Sequence, residues 1–599
     1  MKSMDARNIS SLLRQRPGLT VNAALFATSL TLAACNSNSG TPPPSSASVA
    51  APTGHAPNVL IILADDLGYS DLGAFGSEIS TPNLDQLAAE GKILTNFHTT
   101  PLCATSRADL ITGADHHLVG MGTLPESTVF YPDDIGYDGD LNQNARTIAQ
   151  LLHDNGYHTY MAGKWHLGKS GPWSWGFEQS FTLQPEKAFG SNFAPAADNG
   201  QDPGFVPYFE NGVQAQIPDD FYSSDYFTSK IEQYIGQNHG DGKPFFAYLA
   251  FQATHFPIQA PDAYLNRYAG VYDGGYQAIR DARIAKQKQL GLIPQDFVPN
   301  PGDEALMIRF GQPGVMFNWS WNILTKSEQQ SEARQQEVFA AMLTDLDDNV
   351  GNLFAYLKQI GEYDNTLILF TSDNGADGMG YGFLPYVDSD DNKDMNNALD
   401  NYGRPGSFIF RSTRWAEAST APFRLFKGFT AEGGLSVPAI VRLPNQAQGQ
   451  PPSAALTSLL DVAPTILAEA GIPDPGSEYQ GHPVAPLEGV SMLPVLLGQA
   501  TQVHNDEEVF ADEVNDIRYV RQGPWKMTRV VNYLLPSSAA FIDHDWQLYN
   551  LDSDRGETSD VSTQNPAVVS NLTTQWQNYV QRVDVAQPTF PPLSTPIDQ

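Results

Sequence analysis

Asn58-Val59-Leu60-Ile61-Ile62-Leu63-Ala64, followed at once by Asp65-Asp66-Leu67-Gly68, is the stretch that decides the architecture of this chain. Its apolar run is far too short to span a membrane and lacks the alternation of a half-exposed strand. It therefore reads as a strand covered on both faces, as in the middle of a parallel sheet. The step from strand to helix then recurs along the chain. Thr81 before Pro82, with Gly91 as terminator, predicts a helix between them. Thr159–Ala162, Phe245–Phe251, Thr366–Thr371 and Val437–Val441 read as further strands, and Glu332–Leu357 and Leu459–Gly471 as helices. The expected fold class is α/β: a large, mostly parallel or mixed sheet sandwiched by helices. Glu508–Ala511, Ile517–Arg521, Trp525–Val530 and Trp546–Leu551 predict short antiparallel strands, and Pro566–Val583 a closing helix. Residues 505–599 are thus expected to form a smaller α+β subdomain.

Ligands of open α/β sheets bind beyond the carboxyl ends of the strands, and this sequence concentrates reactive side chains there. The first strand delivers Asp65 and Asp66, and the Thr366 strand delivers Asp373 and Asn374. Three carboxylates and one amide oxygen form a hard, all-oxygen set that suits Ca²⁺ or Mg²⁺ and is poor for zinc. Cys103 opens the run C-A-T-S-R-A-D-L-I-T-G, expected at a loop-to-helix junction with Arg107 one turn on. Unpaired N–H groups and the helix dipole favour an anion at such a junction. Lys164 and His166 lie in G-K-W-H-L-G, directly after a strand and between two glycines. Other suggestive residues are set aside. His116 and His117 are adjacent, and neighbours on a helix point different ways. Asp345, Asp347 and Asp348 are expected on the wet face of an amphipathic helix. The Asp- and Asn-rich tract Val387–Asn396 lacks EF-hand spacing and reads as a loop, and Trp319 and Trp321 are expected to pack rather than to line a pocket.

The 599 residues carry 34 Lys+Arg against 67 Asp+Glu, a net charge of −33. Such a field repels nucleic acid and anionic membrane surfaces, which excludes both as partners of the folded part. Lys2, Arg7, Arg14 and Arg16 precede the apolar stretch Val21–Ala34, which ends Leu32-Ala33-Ala34-Cys35. This order predicts a secretory signal over 1–34, and its ending resembles a bacterial lipoprotein cleavage site. Cys35 would then be lipidated, with Asn36 behind it favouring the outer membrane, and the Pro- and Ser-rich residues 35–56 would be a disordered tether. The lipid is the only expected membrane contact. With two cysteines in the chain and one of them lipidated, no internal disulfide is expected.

Together these motifs resemble the type I, formylglycine-dependent sulfatases of the alkaline phosphatase superfamily, and the bacterial arylsulfatases in particular. The resemblance covers nearly all of residues 57–599. It is carried by the Cys103 run, A-D-D-L-G, G-K-W-H-L-G and S-D-N-G, by His255 in A-T-H-F-P-I-Q-A-P, and by Lys427 in R-L-F-K-G-F-T-A-E-G-G-L-S-V-P. It implies an alkaline phosphatase-like catalytic domain over 57–504. It also implies that the formylglycine-forming machinery oxidises Cys103 to an aldehyde whose hydrate attacks sulfur, giving a covalent sulfo-enzyme that collapses to release sulfate. One Ca²⁺, ahead of Mg²⁺, would be held by Asp65, Asp66, Cys103 as formylglycine, Asp373 and Asn374. Lys164 and Lys427 would face the sulfuryl oxygens, and Arg107 would orient the diol. His166 would act on its second hydroxyl, and His255 would serve the departing oxygen.

The substrate implied is a small sulfate monoester, most of all an aryl sulfate. Two positions depart from the family pattern: Thr105 stands where proline or alanine is usual, and Asp109 where a small residue is usual. Two other functions stay open at this point. One is a phosphonate monoester or phosphodiester hydrolase of the same superfamily. The other is a catalytically silent surface lipoprotein that binds sulfated ligands.

Overall fold

The computed structural model describes residues 56–194, 205–302, 320–378, 395–446, 448–530 and 546–588. The leader, Cys35, Trp319 and most of the Val387–Asn396 tract lie outside them. The apolar run becomes β1, Asn58–Ala64, buried along its whole length. Successive side chains of a strand point to opposite faces, and the two faces of β1 enter two separate cores. Leu60, Ile62 and Ala64 join one cluster, and Val59, Ile61 and Leu63 the other. A strand apolar at every position requires this sandwich.

β1 sits near the middle of a ten-stranded sheet. Its other strands are β2 (Lys92–His98), β3 (His158–Gly163), β4 (Gln179–Leu183), β5 (Tyr208–Glu210), β6 (Val213–Gln214), β7 (Phe245–Ala250), β8 (Thr366–Ser372), β9 (Ser436–Arg442) and β10 (Thr457–Ser458). The order is β10-β2-β9-β8-β1-β7-β3-β4-β5-β6. β1 pairs in parallel with both β7 and β8, and β9 runs antiparallel between β8 and β2. The sheet is therefore mixed and mostly parallel at its centre, as expected. β2 and β4 were not read from the sequence.

On the first face lie α1 (Pro82–Glu90), α4 (Ser223–Asn238) and the long α6 (Lys326–Gln359); α5 (Tyr276–Leu290) and α7 (Thr413–Ser419) pack at its edge. On the second lie α2 (Cys103–Thr112), α3 (Ile148–Asp154) and α8 (Val462–Ala470). A small hairpin, β11 (Glu478–Tyr479) and β12 (His482–Pro483), precedes a four-stranded antiparallel sheet. That sheet comprises β13 (Val509–Val514), β14 (Ile517–Gln522), β15 (Trp525–Arg529) and β16 (Gln547–Asn550), covered by α9, Pro566–Val583. These are the elements the sequence predicts for the C-terminal part. No helix among the described residues is long and apolar enough to cross a membrane. Trp321 packs edge-on against Tyr276 and Trp415, as expected of a packing residue.

One expectation fails. Asp345 and Asp347 are buried rather than on a wet face, because α6 is covered by neighbouring helices on more than one side. Asp347 accepts from the backbone N–H of Asn83 (3.1 Å) and of Leu84 (2.8 Å) and from the Asn83 amide (2.9 Å). It thus satisfies orphan donors at the start of α1, a task that Thr81 does not perform, since its side chain makes no cap bond to that helix. Asp347→Ala is expected to lower global stability by about 1–3 kcal/mol in denaturant unfolding, the cost of a lost cap and buried unpaired donors. An unchanged midpoint would contradict this role.

Candidate active site

The site is built at the carboxyl ends of β1, β3, β7 and β8, where the parallel strands end side by side. After β1 the chain turns sharply, with Asp66 at φ 63°, a left-handed conformation that aspartate tolerates better than most residues. Asp66 N–H donates to Asp373 Oδ1 (3.1 Å), and Leu67 N–H donates to Ser372 Oγ (2.9 Å). The ends of β1 and β8 are thereby tied together. Gly375 is required beside them, since a Cβ there would lie 2.0 Å from the Gly433 carbonyl oxygen. β3 delivers Lys164 and His166, and the segment after β7 delivers His255.

Cys103 is the first residue of α2, with Leu102 as N-cap. Thr105, at the position where the sequence departs from the family pattern, uses its hydroxyl to donate to the Leu102 carbonyl (2.9 Å). It closes the junction that a proline would otherwise stiffen. One turn on, Arg107 reaches under the site. Its Nε and Nη2 donate to Asp373 Oδ2 (3.0 and 2.7 Å), Nη1 donates to the Lys164 carbonyl (2.9 Å), and Nη2 stands 3.6 Å from Asp65. Lys164 Nζ donates to Asp65 Oδ2 at 2.7 Å, and Lys427 Nζ to Asp66 at 2.8 Å. The Asn374 amide nitrogen donates to Asp66 Oδ1 at 2.7 Å. All ten residues singled out in the sequence are buried, and ligand atoms of Asp65, Asp66, Cys103 and His255 come within 4.8 Å of one another.

Two buried oxygens in this cluster, Asp65 Oδ1 and Asn374 Oδ1, have no hydrogen-bond partner among the described residues. Unpaired acceptors of this kind are costly in a protein interior. Together with the Asp66 and Asp373 carboxylates they form the hard oxygen set that a divalent cation of the Ca²⁺ or Mg²⁺ class completes. The residues present therefore fit such an ion.

Charge in the cluster is balanced closely. Burial and the nearby Asp373 push the Asp65 carboxyl well above its ordinary range, against the pull of Lys164 and Arg107. Burial also raises Asp373, but Arg107 and Lys164 outweigh it and hold that carboxyl below its ordinary range. Burial works against the ammonium charges of Lys164 and Lys427; Asp65 beside the first and Asp66 beside the second more than offset it, so both stay charged. Burial pushes the Cys103 thiol up to about 12, although Lys164 and Lys427 pull it down. Among these side chains an unmodified Cys103 is a neutral thiol and a weak nucleophile.

Burial, then Lys427 and Lys164, hold His255 well below its ordinary value. Its Nδ1 lies 2.6 Å from the Phe256 carbonyl and its Nε2 3.5 Å from Asp66 Oδ2, so the carbonyl fixes the ring with Nε2 toward the cluster. His166 is also lowered, by burial, which Glu126 only partly offsets. Its Nε2 lies 3.1 Å from Glu126 Oε2, and its Nδ1 is buried without a partner.

Three contributions were not legible in the sequence. Glu126 orients His166 from 40 residues away. Phe189, half-buried, stacks on His255 with ring centroids 5.1 Å apart and planes 21° apart, with Phe256 at 4.7 Å and Phe408 at 6.2 Å from it. The C-terminal sheet braces the segment that carries Lys427: Lys526 Nζ pairs with Glu432 (2.8 Å) and Glu557 (2.9 Å), and Arg424 donates to Tyr549 (2.9 Å). His116 and His117, set aside as helix neighbours, lie past the end of α2 in a turn, their rings 4.1 Å apart. Asp109 lines a cavity on that side, away from the strand-end cluster.

A family model described as Sulfatase matches residues 57–472. An uncharacterized sulfatase of Schizosaccharomyces pombe is 38% identical over 537 residues, 87% of this chain and 93% of its own. An arylsulfatase of Klebsiella aerogenes is 36% identical over 444 residues, 73% of this chain and 91% of its own. The crystal structure of Ps i-CgsB in complex with k-i-k-neocarrahexaose is similar with a TM-score of 0.60 at 25% identity, over 89% of this chain and 94% of that one.

Protein stripped with a chelator is expected to regain stability when Ca²⁺ is added, by about 2.7 kcal/mol at a hundredfold excess over the dissociation constant. Asp373→Asn should lose that response. A wild-type melting curve unmoved by calcium would contradict the cation site.

Proposed function

The chain belongs to the sulfatase family and hydrolyses sulfate esters, and we propose that its substrates are aryl sulfate monoesters, turned over at the strand-end cluster around Cys103. The observation that carries the aryl preference is the aromatic group beside His255, where Phe189 and Phe256 pack on its ring and Phe408 packs on both of them, which offers ring contact to a departing phenol. The arylsulfatase of Klebsiella aerogenes supports the same reading.

As formylglycine hydrate, position 103 supplies one hydroxyl for attack on sulfur and a second whose deprotonation expels sulfate, and a bound Ca²⁺ supplies a fixed positive charge beside both. Asp65, Asp66, Asp373 and Asn374 would hold that ion. Lys164 and Lys427, charged and already aimed at the carboxylates, turn to the sulfuryl oxygens as charge spreads there in the transition state. Arg107, locked on Asp373 and the Lys164 carbonyl, keeps the start of α2 in register with β8. His166, oriented by Glu126, stands ready to take the proton of the second hydroxyl.

His255 presents Nε2 to the ester oxygen. Burial and the two lysines hold the ring neutral in the resting pocket, so it serves as an acid only after Nε2 takes a proton from solvent when the anionic ester binds beside it. That proton then passes to the departing oxygen, help that is worth most to a poor leaving group. A phenol, with a pKa near the tyrosine value of about 10, needs less help than an alkyl alcohol. At the N-terminus, lipidation of Cys35 after export would anchor the enzyme to a membrane, and loss of membrane association in Cys35→Ser is the check on that.

Kinetics test the reading. Cys103→Ala is expected to lose about 10³-fold or more in kcat, as removal of a nucleophile does. His255→Ala should lose more on an alkyl than on an aryl sulfate. Phe189→Ala should raise KM for the aryl ester roughly fivefold, the value of about 1 kcal/mol of ring contact, with kcat little changed. A phosphonate monoester or phosphodiester turned over with higher kcat/KM than every sulfate ester would overturn the assignment in favour of the other superfamily activity.

A further inference from the structure

Gly113, in the left-handed conformation, ends α2, and Asp115, His116 and His117 follow in the next turn. The two imidazoles lie side by side, with centroids 4.1 Å and planes 32° apart. Each ring has one nitrogen fixed from outside the pair. His116 Nδ1 lies 3.0 Å from the Met121 carbonyl. His117 Nε2 lies 3.4 Å from Glu513 Oε2, which also accepts from Tyr137 at 3.0 Å. The inner nitrogens each face a carboxylate: His116 Nε2 is 2.8 Å from Asp512 Oδ1, and His117 Nδ1 is 2.9 Å from Asp115 Oδ1. An imidazole held at its far nitrogen by a carbonyl or carboxylate, with the near one left to a cation, is how metal-bound histidines are oriented.

The side chains alone leave the cluster incomplete. Asp512 Oδ2 and Asp109 Oδ1 are buried with no hydrogen-bond partner among the described residues. Both residues line, with Asp115 and His116, a cavity of about 240 Å³ between α2 and β13. Without a cation, His116 Nε2 and His117 Nδ1 each share a proton with one carboxylate, and Tyr579 Oη stands 3.4 Å from His117 Nδ1 as well. One divalent ion replaces both protons with a charge that all four groups share. One ligand atom from each of Asp115, His116 and His117 lies within 4.8 Å of the others, and Asp512 meets the group through His116 Nε2 at 2.8 Å. A side-chain adjustment of a few tenths of an ångström would bring the three within the span of about 4.4 Å that two bonds of about 2.2 Å allow. Arg582 pairs with the other carboxylate oxygen of Asp115, at 3.7 Å.

We propose that Asp115, His116, His117 and Asp512 form a second metal site, selective for a zinc-class divalent ion, that ties the end of the Cys103-bearing helix to β13. Two imidazoles with two carboxylates suit zinc, whereas the strand-end cluster sets three carboxylates and an amide oxygen against a single imidazole, His255. The two sites therefore sort ions by donor chemistry. Binding releases the inner protons to solvent.

Full-length protein, stripped with chelator and then saturated with Ca²⁺ to fill the strand-end site, is titrated with Zn²⁺ and separately with Co²⁺. About one equivalent of Zn²⁺ should bind with proton release, and Co²⁺ should give the visible absorption of a four-coordinate N/O site. Asp512→Asn and His117→Gln should each abolish the cobalt band, while Asp65→Asn retains it. Far-ultraviolet circular dichroism identifies a variant that fails to fold, and the wild-type titration decides by itself if both do. No zinc uptake by calcium-saturated wild type, or a cobalt band that survives both substitutions in folded protein, would overturn the proposal.

Discussion

Three carboxylates are buried together at the ends of β1 and β8, and the rest of the molecule is arranged around their mutual repulsion. At an effective dielectric constant of about 20, two like charges 4 Å apart cost about 4 kcal/mol. The chain answers with Arg107 on Asp373, Lys164 on Asp65 and Lys427 on Asp66, each from a different segment. Charge is matched but coordination is not: burial raises the Asp65 carboxyl, and among the described residues Asp65 Oδ1 and Asn374 Oδ1 accept no hydrogen bond. That deficit makes the cluster a place for a divalent cation and, beyond it, for an anionic ester.

Holding such a cluster together demands rigidity from distant parts of the chain. Arg107 fixes α2 against β8 and the strand β3 through one guanidinium. Among the described residues the C-terminal sheet supplies none of the side chains at the strand ends, yet Lys526, buried between Glu432 and Glu557, clamps the segment just after Lys427. Removing one partner from such a buried group typically costs about 3–5 kcal/mol. The C-terminal region thus positions a lysine of the site without contacting the reacting atoms itself.

The centre of the sheet and the strand-end residues were legible because each rests on local pattern: an apolar run of strand length, a carboxylate pair behind it, a cysteine opening a helix. β2, Lys-Ile-Leu-Thr-Asn-Phe-His, was not, since its mixed sequence becomes a strand through pairing with β9 on one side and β10 on the other. The acidic residues of α6 were misread for a related reason. A polar face in sequence signals water only when no other element covers it, and here Asp347 caps α1 instead. Glu126 beside His166 and the phenylalanines beside His255 are products of tertiary approach, for which a single sequence carries no signal. Adjacent His116 and His117 were visible, but the rule for helix neighbours does not hold for them because they lie in a turn.

The central claim is that the group performing the chemistry at position 103 is not the encoded thiol, which burial keeps neutral in this pocket. The mass of the tryptic peptide Ile93–Arg107 from protein made in its own host tests it most directly. Conversion of cysteine to formylglycine lowers that mass by about 18 Da, and the account predicts this shift in active protein. A peptide of unmodified mass from fully active enzyme would contradict it.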